Sequence, residues 1–212
     1  MALTFNDQKE VRFMIDIETT GVDQEKDVIL EIGILETRFD GRFWQPGREF
    51  HKILHYAGEP ESEFAKTHMV ELYKRCNDAP HTTIASTREE MLAFFKECGH
   101  TGHGVVFMGW NSMNFDVPFL NKVGYLKAPG YETVNGEDIR VGDHHYRQYE
   151  MSGVIQFVQD VLGRDRDTVL KEAEETDHTI TLPEGKEHDA LYDCYKQLKL
   201  LNGLISLTRI DA

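Results

Sequence analysis

Apolar positions come in dense runs early in the chain and at helical spacing later. Residues 11–18 read Val-Arg-Phe-Met-Ile-Asp-Ile-Glu, a β-rich run that predicts a strand. Residues 23–27 form a polar turn, and residues 28–39, rich in Ile and Leu, predict a second strand. Residues 43–54 predict a third, with Pro46-Gly47 marking a turn or bulge inside it. Three neighbouring strands with short turns point to an antiparallel meander.

Helical spacing then takes over. Phe64, His68, Leu72 and Cys76 recur every four residues and make one face of a helix. Ser86-Thr87-Arg88-Glu89 fits a capping box, opening a helix through Met91, Leu92, Phe94 and Phe95 that stops at Gly99. Residues 104–109 predict a short buried strand. A helix over about 115–123 follows, with Pro118 in its first turn. Ser152 is expected to cap a helix through Val154, Phe157, Val158 and Val161, closed by Gly163. The last helix, about 189–207, carries Leu191, Tyr195, Leu198, Leu201 and Ile205 on its apolar stripe. Residues 164–186 are mostly polar and read as a loop or insertion, with room for a helical stretch near 167–175. Strands followed by helices around a further strand imply one α/β domain over residues 1–212, with a mixed sheet.

Composition narrows the partners. The apolar fraction of 40% is ordinary for a globular chain. No apolar run approaches the ~18 residues of a membrane span. The N-terminus lacks a basic patch followed by an apolar stretch, so no signal peptide is expected. Cys76, Cys98 and Cys194 are far apart and odd in number, which predicts reduced thiols and a cytoplasmic protein. The net charge of −14 disfavours coating of long nucleic acid, which takes a basic stripe. An acidic protein can still act on nucleic acid where bound metal supplies local positive charge, and that favours short substrates.

Five residues carry candidate chemistry. Asp16 and Glu18 are two apart in a strand, so both point to one face. Two carboxylates on one face of an apolar strand repel unless a cation lies between them or the strand end is hydrated. Asp116 follows a strand end, where sites gather in open α/β sheets; it is also an ordinary first-turn helix residue. His188 and Asp193 are five apart, about 140° around an ideal helix, so they cannot share a helix face. Serving one site would need His188 on the incoming loop and Asp193 on the helix, with Asp189 as the N-cap.

These segments resemble the three motifs of the DEDD exonuclease superfamily, in order. Asp16-Ile17-Glu18-Thr19-Thr20-Gly21 is similar to Asp-x-Glu-x-Thr-Gly, Asp116 to the second motif, and His188-Asp189-Ala190-Leu191-Tyr192-Asp193 to His-x-Ala-x-x-Asp of the histidine subtype. Within the superfamily the chain is most similar to oligoribonucleases. Asn111-Ser112 stands at their spacing before Asp116, Thr67-His68 resembles a mid-region pair, and His145-Tyr146-Arg147 with Glu150 and Ser152 resembles their His-Tyr-Arg segment. Thr19-Thr20-Gly21 and Phe115 are equally the habit of DNA-proofreading and RNase T-like members, which leaves the sugar open.

The resemblance implies a ribonuclease H-like α/β fold, an antiparallel meander plus parallel strands flanked by helices. It implies two divalent cations, Mg or Mn, on Asp16, Glu18, Asp116 and Asp193, with His188 as general base. The implied substrate is a short single-stranded RNA or DNA 3′ end, cleaved to nucleoside 5′-monophosphates. Substrate contacts carried over are Val22, as a wedge on the terminal base, His68, Asn111, Ser112, Tyr146, Arg147 and Ser152. A core position for His68 is an equal expectation from its helical face. A homodimer is implied too, and no membrane is involved.

Overall fold

The computed structural model describes residues 11–176 and 180–209. The reading of the N-terminus lies outside these residues, as does 177–179 of the polar segment.

Three strands form the expected meander: β1 (Val11–Thr19), β2 (Ile29–Phe39) and β3 (Trp44–Ile53). β1 pairs antiparallel with β2, and β2 with β3; the latter register shifts between Leu35 and Thr37, close to Pro46. Two further strands, β4 (Phe107–Gly109) and β7 (Tyr149–Glu150), add in parallel, so the sheet order is β3-β2-β1-β4-β7. Between them in sequence lies a separate hairpin, β5 (Gly130–Val134) and β6 (Glu137–Val141). The predicted 104–109 strand is shorter than expected because residues 102–104 form a 3₁₀ turn.

Alternation along β1 splits the core in two. Phe13, Ile15 and Ile17 face α3 (Ile84–Glu97) and α4 (Asp116–Val123), packing with Met91, Phe95, Phe119 and Leu120. Met14 faces the other way, toward α5 (Met151–Leu162), α6 (Arg166–Thr176) and α7 (Ala190–Thr208). Each fully buried large apolar side chain contributes about 1.5–3 kcal/mol. Asp16 and Glu18 follow Met14 at the same parity, so they emerge under the start of α7. A mixed sheet covered by helices on both faces is the ribonuclease H-like arrangement expected.

Three local expectations change. The helix predicted through Phe64 and Cys76 breaks at Met69 into α1 (Glu63–His68) and α2 (Val70–Asp78). The break rotates the buried stripe to Ala65, Met69, Leu72, Tyr73 and Cys76, which leaves Phe64 and His68 exposed. The cap of α3 is Thr83, reciprocally bonded with Ser86, rather than Ser86 itself. The cap of α5 is Glu150, whose carboxylate accepts from the Ser152 amide (3.4 Å), so Ser152 lies inside the first turn. Within the polar segment 164–186 the helical stretch expected near 167–175 is present as α6, held to α7 by buried Val169 and Ala173. The three cysteines are buried, on α2, after α3 and on α7. Among the described residues no helix is long and apolar enough to cross a membrane.

Candidate active site

The carboxyl end of β1, the start of α4 and the start of α7 meet at one place. Asp116 reaches back to the strand between the paired acids: its Oδ1 accepts the Ile17 N–H at 2.8 Å. His188 sits on the loop before α7 in a left-handed conformation (φ 68°), and its N–H donates to Asp193 Oδ2 at 2.9 Å. The His188 Nδ1 lies 3.8 Å from Glu18 Oε1. One ligand-capable atom each from Glu18, His188 and Asp193 fall within 4.8 Å of one another. The loop-borne histidine and helix-borne aspartate thus converge on the strand, with Asp189 at the N-cap position of α7.

The acids repel one another strongly. Burial, then the charges of Asp116, Glu18 and Asp193, hold the Asp16 carboxyl well above its ordinary range. Burial, then Asp193, Glu31 and Asp116, push Glu18 up to about 8. Burial also pushes Asp116 up to about 7, against the Ile17 amide, which favours its charge. Asp193 is raised by burial, opposed by the His188 N–H and the His188 charge. Such a set either keeps protons or takes cations. Its donors are oxygens with one imidazole, which suits hard divalent ions, so the residues fit the metal implied by the motifs.

Two of the neighbours that complete the site, Gln197 and Glu31, carry no motif in the sequence. Gln197, one turn after Asp193 on α7, donates to Asp16 Oδ1 (2.9 Å) and accepts from the Trp110 N–H (2.9 Å). The spacing from Asp193 was a legible signal, since positions four apart share a helix face. Phe64 stands edge-on to His188 (centroids 5.1 Å), with His68 at 5.8 Å from the same ring. His68 is therefore beside the site and not in the core. Glu150 accepts the Asn111 N–H (2.6 Å), and its charge bears on Asp116. Glu31, opposite Glu18 in register, is fully buried and meets His51 and Arg75; Arg75 also bonds Asp189.

The other expected contacts scatter. Val22 is 83% exposed on the loop after β1, open to a ligand. Asn111 is exposed with φ 58°, and Ser152 is exposed beside Glu150. Ser112 is fully buried, set against Gly109, and offers no surface to a substrate; that expected contact is corrected. Tyr146 and Arg147 are exposed but stand away from the acids: the His145 N–H bonds Val105 O, before β4 begins. A cleft of about 670 Å³ opens beside Asp16 and Asp193, walled by Trp110, Leu170, Leu182 and Lys196.

Fold and site together define a class, the ribonuclease H-like α/β proteins with an acidic cleft at the carboxyl end of the central strand. The RNase_T exonuclease family model matches residues 13–201, and the chain belongs to that family. Among solved structures, cell-death related nuclease 4 superposes with a TM-score of 0.65 at 14% identity, over 94% of this chain and 65% of that one. The zinc-bound E. coli ExoI–ssDNA complex gives 0.58 at 12%, over 92% and 40%. A 3′-exonuclease recognising the 3′ end of histone mRNA stem-loop gives 0.56 at 10%, over 93% and 64%. At these identities the likeness shows the fold, and the chain spans less than two thirds of each relative's length. No curated protein matches the chain.

Proposed function

We propose that this chain is a metal-dependent 3′-to-5′ exonuclease of the histidine subtype, acting on short single-stranded oligoribonucleotides. The observation that carries the reading is the approach of Glu18, His188 and Asp193 within 4.8 Å at the strand end that also holds Asp16 and Asp116. The net charge of −14 fits short substrates better than long tracts.

Asp16, Glu18, Asp116 and Asp193 would hold two divalent cations, Mg or Mn. When bound, such ions supply Lewis acidity to the scissile phosphate and balance charge on the leaving oxygen. His188 takes the proton of the attacking water, a role that contributes on the order of 10²–10⁴ in rate. Water adds to phosphorus, the bond to the 3′ oxygen breaks, and a nucleoside 5′-monophosphate leaves. Val22 and His68 border the terminal nucleotide; Asn111 and Ser152 lie on the strand's path. The unit acts as a single domain in the cytoplasm and pairs as a homodimer.

A second reading, a 3′-to-5′ exodeoxyribonuclease on single-stranded DNA ends, is favoured by Thr19-Thr20-Gly21 and Phe115. The test is turnover of 5′-labelled dinucleotide RNA against longer single-stranded DNA, with Mg²⁺ or Mn²⁺ and with chelator. Faster loss of DNA selects the second reading. Activity indifferent to chelator discards both.

A further inference from the structure

The cleft beside Asp16 and Asp193 takes much of its wall from outside the three motifs. α6 brings Leu170, the residues after it bring Leu182, and the loop after β4 brings Trp110. α6 is seated tightly on α7: a Cβ on Gly203 would lie 2.0 Å from the Ala173 carbonyl oxygen, so only glycine admits the approach. The wall is therefore a fixed part of the site.

That wall gathers positive charge on a chain of net charge −14. Lys196 and Lys199 lie three apart on α7 and line the cleft beyond Asp193. The Arg166 guanidinium carbon, at the start of α6, stands 5.1 Å from the centroid of the Trp110 ring. Lys199 is half-buried and makes no ion pair among the described residues. Lys196 bonds the Glu187 carboxylate, and its charge also reaches Asp193. The Glu187 side chain is 68% exposed and that of Lys196 41%, and a pair this open to water is weak enough to exchange. Glu174 and Glu187 line the same cleft, so without these cations it would repel a strand.

The attack geometry gives the cleft a direction. Glu18, His188 and Asp193 converge on one side, with Phe64 and His68 around His188. The cleft opens on the other side, past Asp16 and the Gln197 amide that holds it. In an in-line displacement the leaving oxygen points away from the attacking water. Water activated by His188 thus drives the leaving 3′ oxygen toward the cleft, and the nucleotide that carries this oxygen enters there. The cations on the four acids neutralise the scissile phosphate. The next phosphate in the 5′ direction lies beyond them and needs its own positive partner.

We propose that Lys196 and Lys199 determine specificity by holding the phosphodiester immediately 5′ of the scissile one, Lys196 giving up Glu187 to do so. The inference rests on the nuclease reading and deepens it. Neither lysine belongs to a segment that resembles the family's motifs or carried-over contacts.

The test uses two trinucleotides, each made as RNA and as DNA, with Mg²⁺ present. They differ at the linkage 5′ of the scissile bond, which is a phosphodiester in one and an uncharged methylphosphonate in the other. Wild type should favour the charged trinucleotide in kcat/KM. In Lys196→Gln and Lys199→Gln, once thermal melts show the fold intact, that preference should shrink about five-fold or more, through KM. Lys196→Arg should retain it. A preference that is unchanged in both glutamine variants overturns the assignment. So does an equal loss on both trinucleotides carried by kcat, which would make Lys196 a support for the His188 turn through Glu187. Wild type that cleaves both trinucleotides equally well overturns this assignment alone. Wild type that cleaves neither overturns the nuclease reading and this assignment with it.

Discussion

Gly33 lies directly across from Asp16 in the β1–β2 register, and the first turn of α7 rests on its bare Cα. A Cβ there would come within 2.5 Å of the Ala190 carbonyl carbon. Real Cβ atoms do not approach backbone so closely, so α7 would have to lift from the sheet. That contact sets how near Asp193 comes to Asp16 and Glu18. Gly33→Ala should therefore cost about 1–3 kcal/mol, the usual range for overpacking. Turnover should drop by more than stability alone explains, because the displaced helix carries a ligand. Thermal melting and single-turnover rates check both. An unchanged rate in a destabilised protein would mean that the seat of α7 does not set the ligand spacing.

Gln197 orients Asp16 from the same helix. Its amide joins the Asp16 carboxylate to the Trp110 N–H, so the carboxylate's direction depends on the loop after β4. Partners that orient a metal ligand typically matter by 10–100-fold. Gln197→Ala should weaken metal-dependent activation by about that factor, with KM nearly constant at saturating metal. A metal titration of initial rate reads it. An unshifted titration would show that Asp16 orients without help.

The acid cluster predicts an unusual pH profile for the chelated protein. Glu18 is pushed up to about 8 and Asp116 to about 7, and Asp16 and Asp193 are raised as well. In the unfolded chain these carboxyls return to about 4. Between about pH 4 and 8 the folded state therefore binds more protons than the unfolded one, and stability falls as pH rises. Metal-free protein should melt at a higher temperature near pH 5.5, inside this window, than near pH 8.5, just above it. Added Mn²⁺ should raise the melting temperature most on the alkaline side, where cations no longer compete with protons. Asp16→Asn should flatten both trends. A chelated protein most stable at alkaline pH would contradict the cluster's electrostatics.

Local rules made part of this site readable. A period of two fixed Asp16 and Glu18 on one face, and the angle between positions five apart put His188 on a loop and Asp193 on a helix. The bond from Asp116 to the Ile17 N–H joins residues far apart in sequence, and no local pattern encodes it. Spacing of four places Phe64 and His68 on one helix face only if the helix is continuous, which leaves His68 open between core and substrate. The break at Met69 turns them outward instead, toward His188. The hairpin went unseen although Asn135-Gly136 is a strong turn signal, with φ 54° and 84° as a type I′ turn requires. Its strands are short, charged and mostly exposed, so they lack the buried apolar face that marks a strand. Glu150 replaced Ser152 as a cap because a longer carboxylate reaches both the helix and the Asn111 loop.

Arg75 reaches from α2 to the turn that carries His188. It bonds Asp189 Oδ1, while Asp189 Oδ2 accepts the Lys186 N–H at 3.1 Å. The same guanidinium lies 3.5 Å from Glu31 Oε2, the buried acid behind Glu18. Losing it leaves Glu31, among the described residues, with His51 as its remaining ion-pair partner and loosens the strained His188 turn. A fully buried pair broken on one side costs about 3–5 kcal/mol; Arg75 is about one third exposed, so Arg75→Ala should cost roughly 1–3 kcal/mol after screening. Its catalytic effect should follow that of His188→Ala in kind and fall short of it in size. In both, kcat falls while KM and metal affinity hold, because the base is misplaced or absent and the ligands remain. Arg75→Lys, which keeps the charge but not the fork, should recover stability more than rate. Steady-state kinetics beside calorimetric Mn²⁺ binding separate these outcomes. If Arg75→Ala lowers stability but leaves kcat untouched, the His188 turn holds itself and Arg75 serves the fold alone.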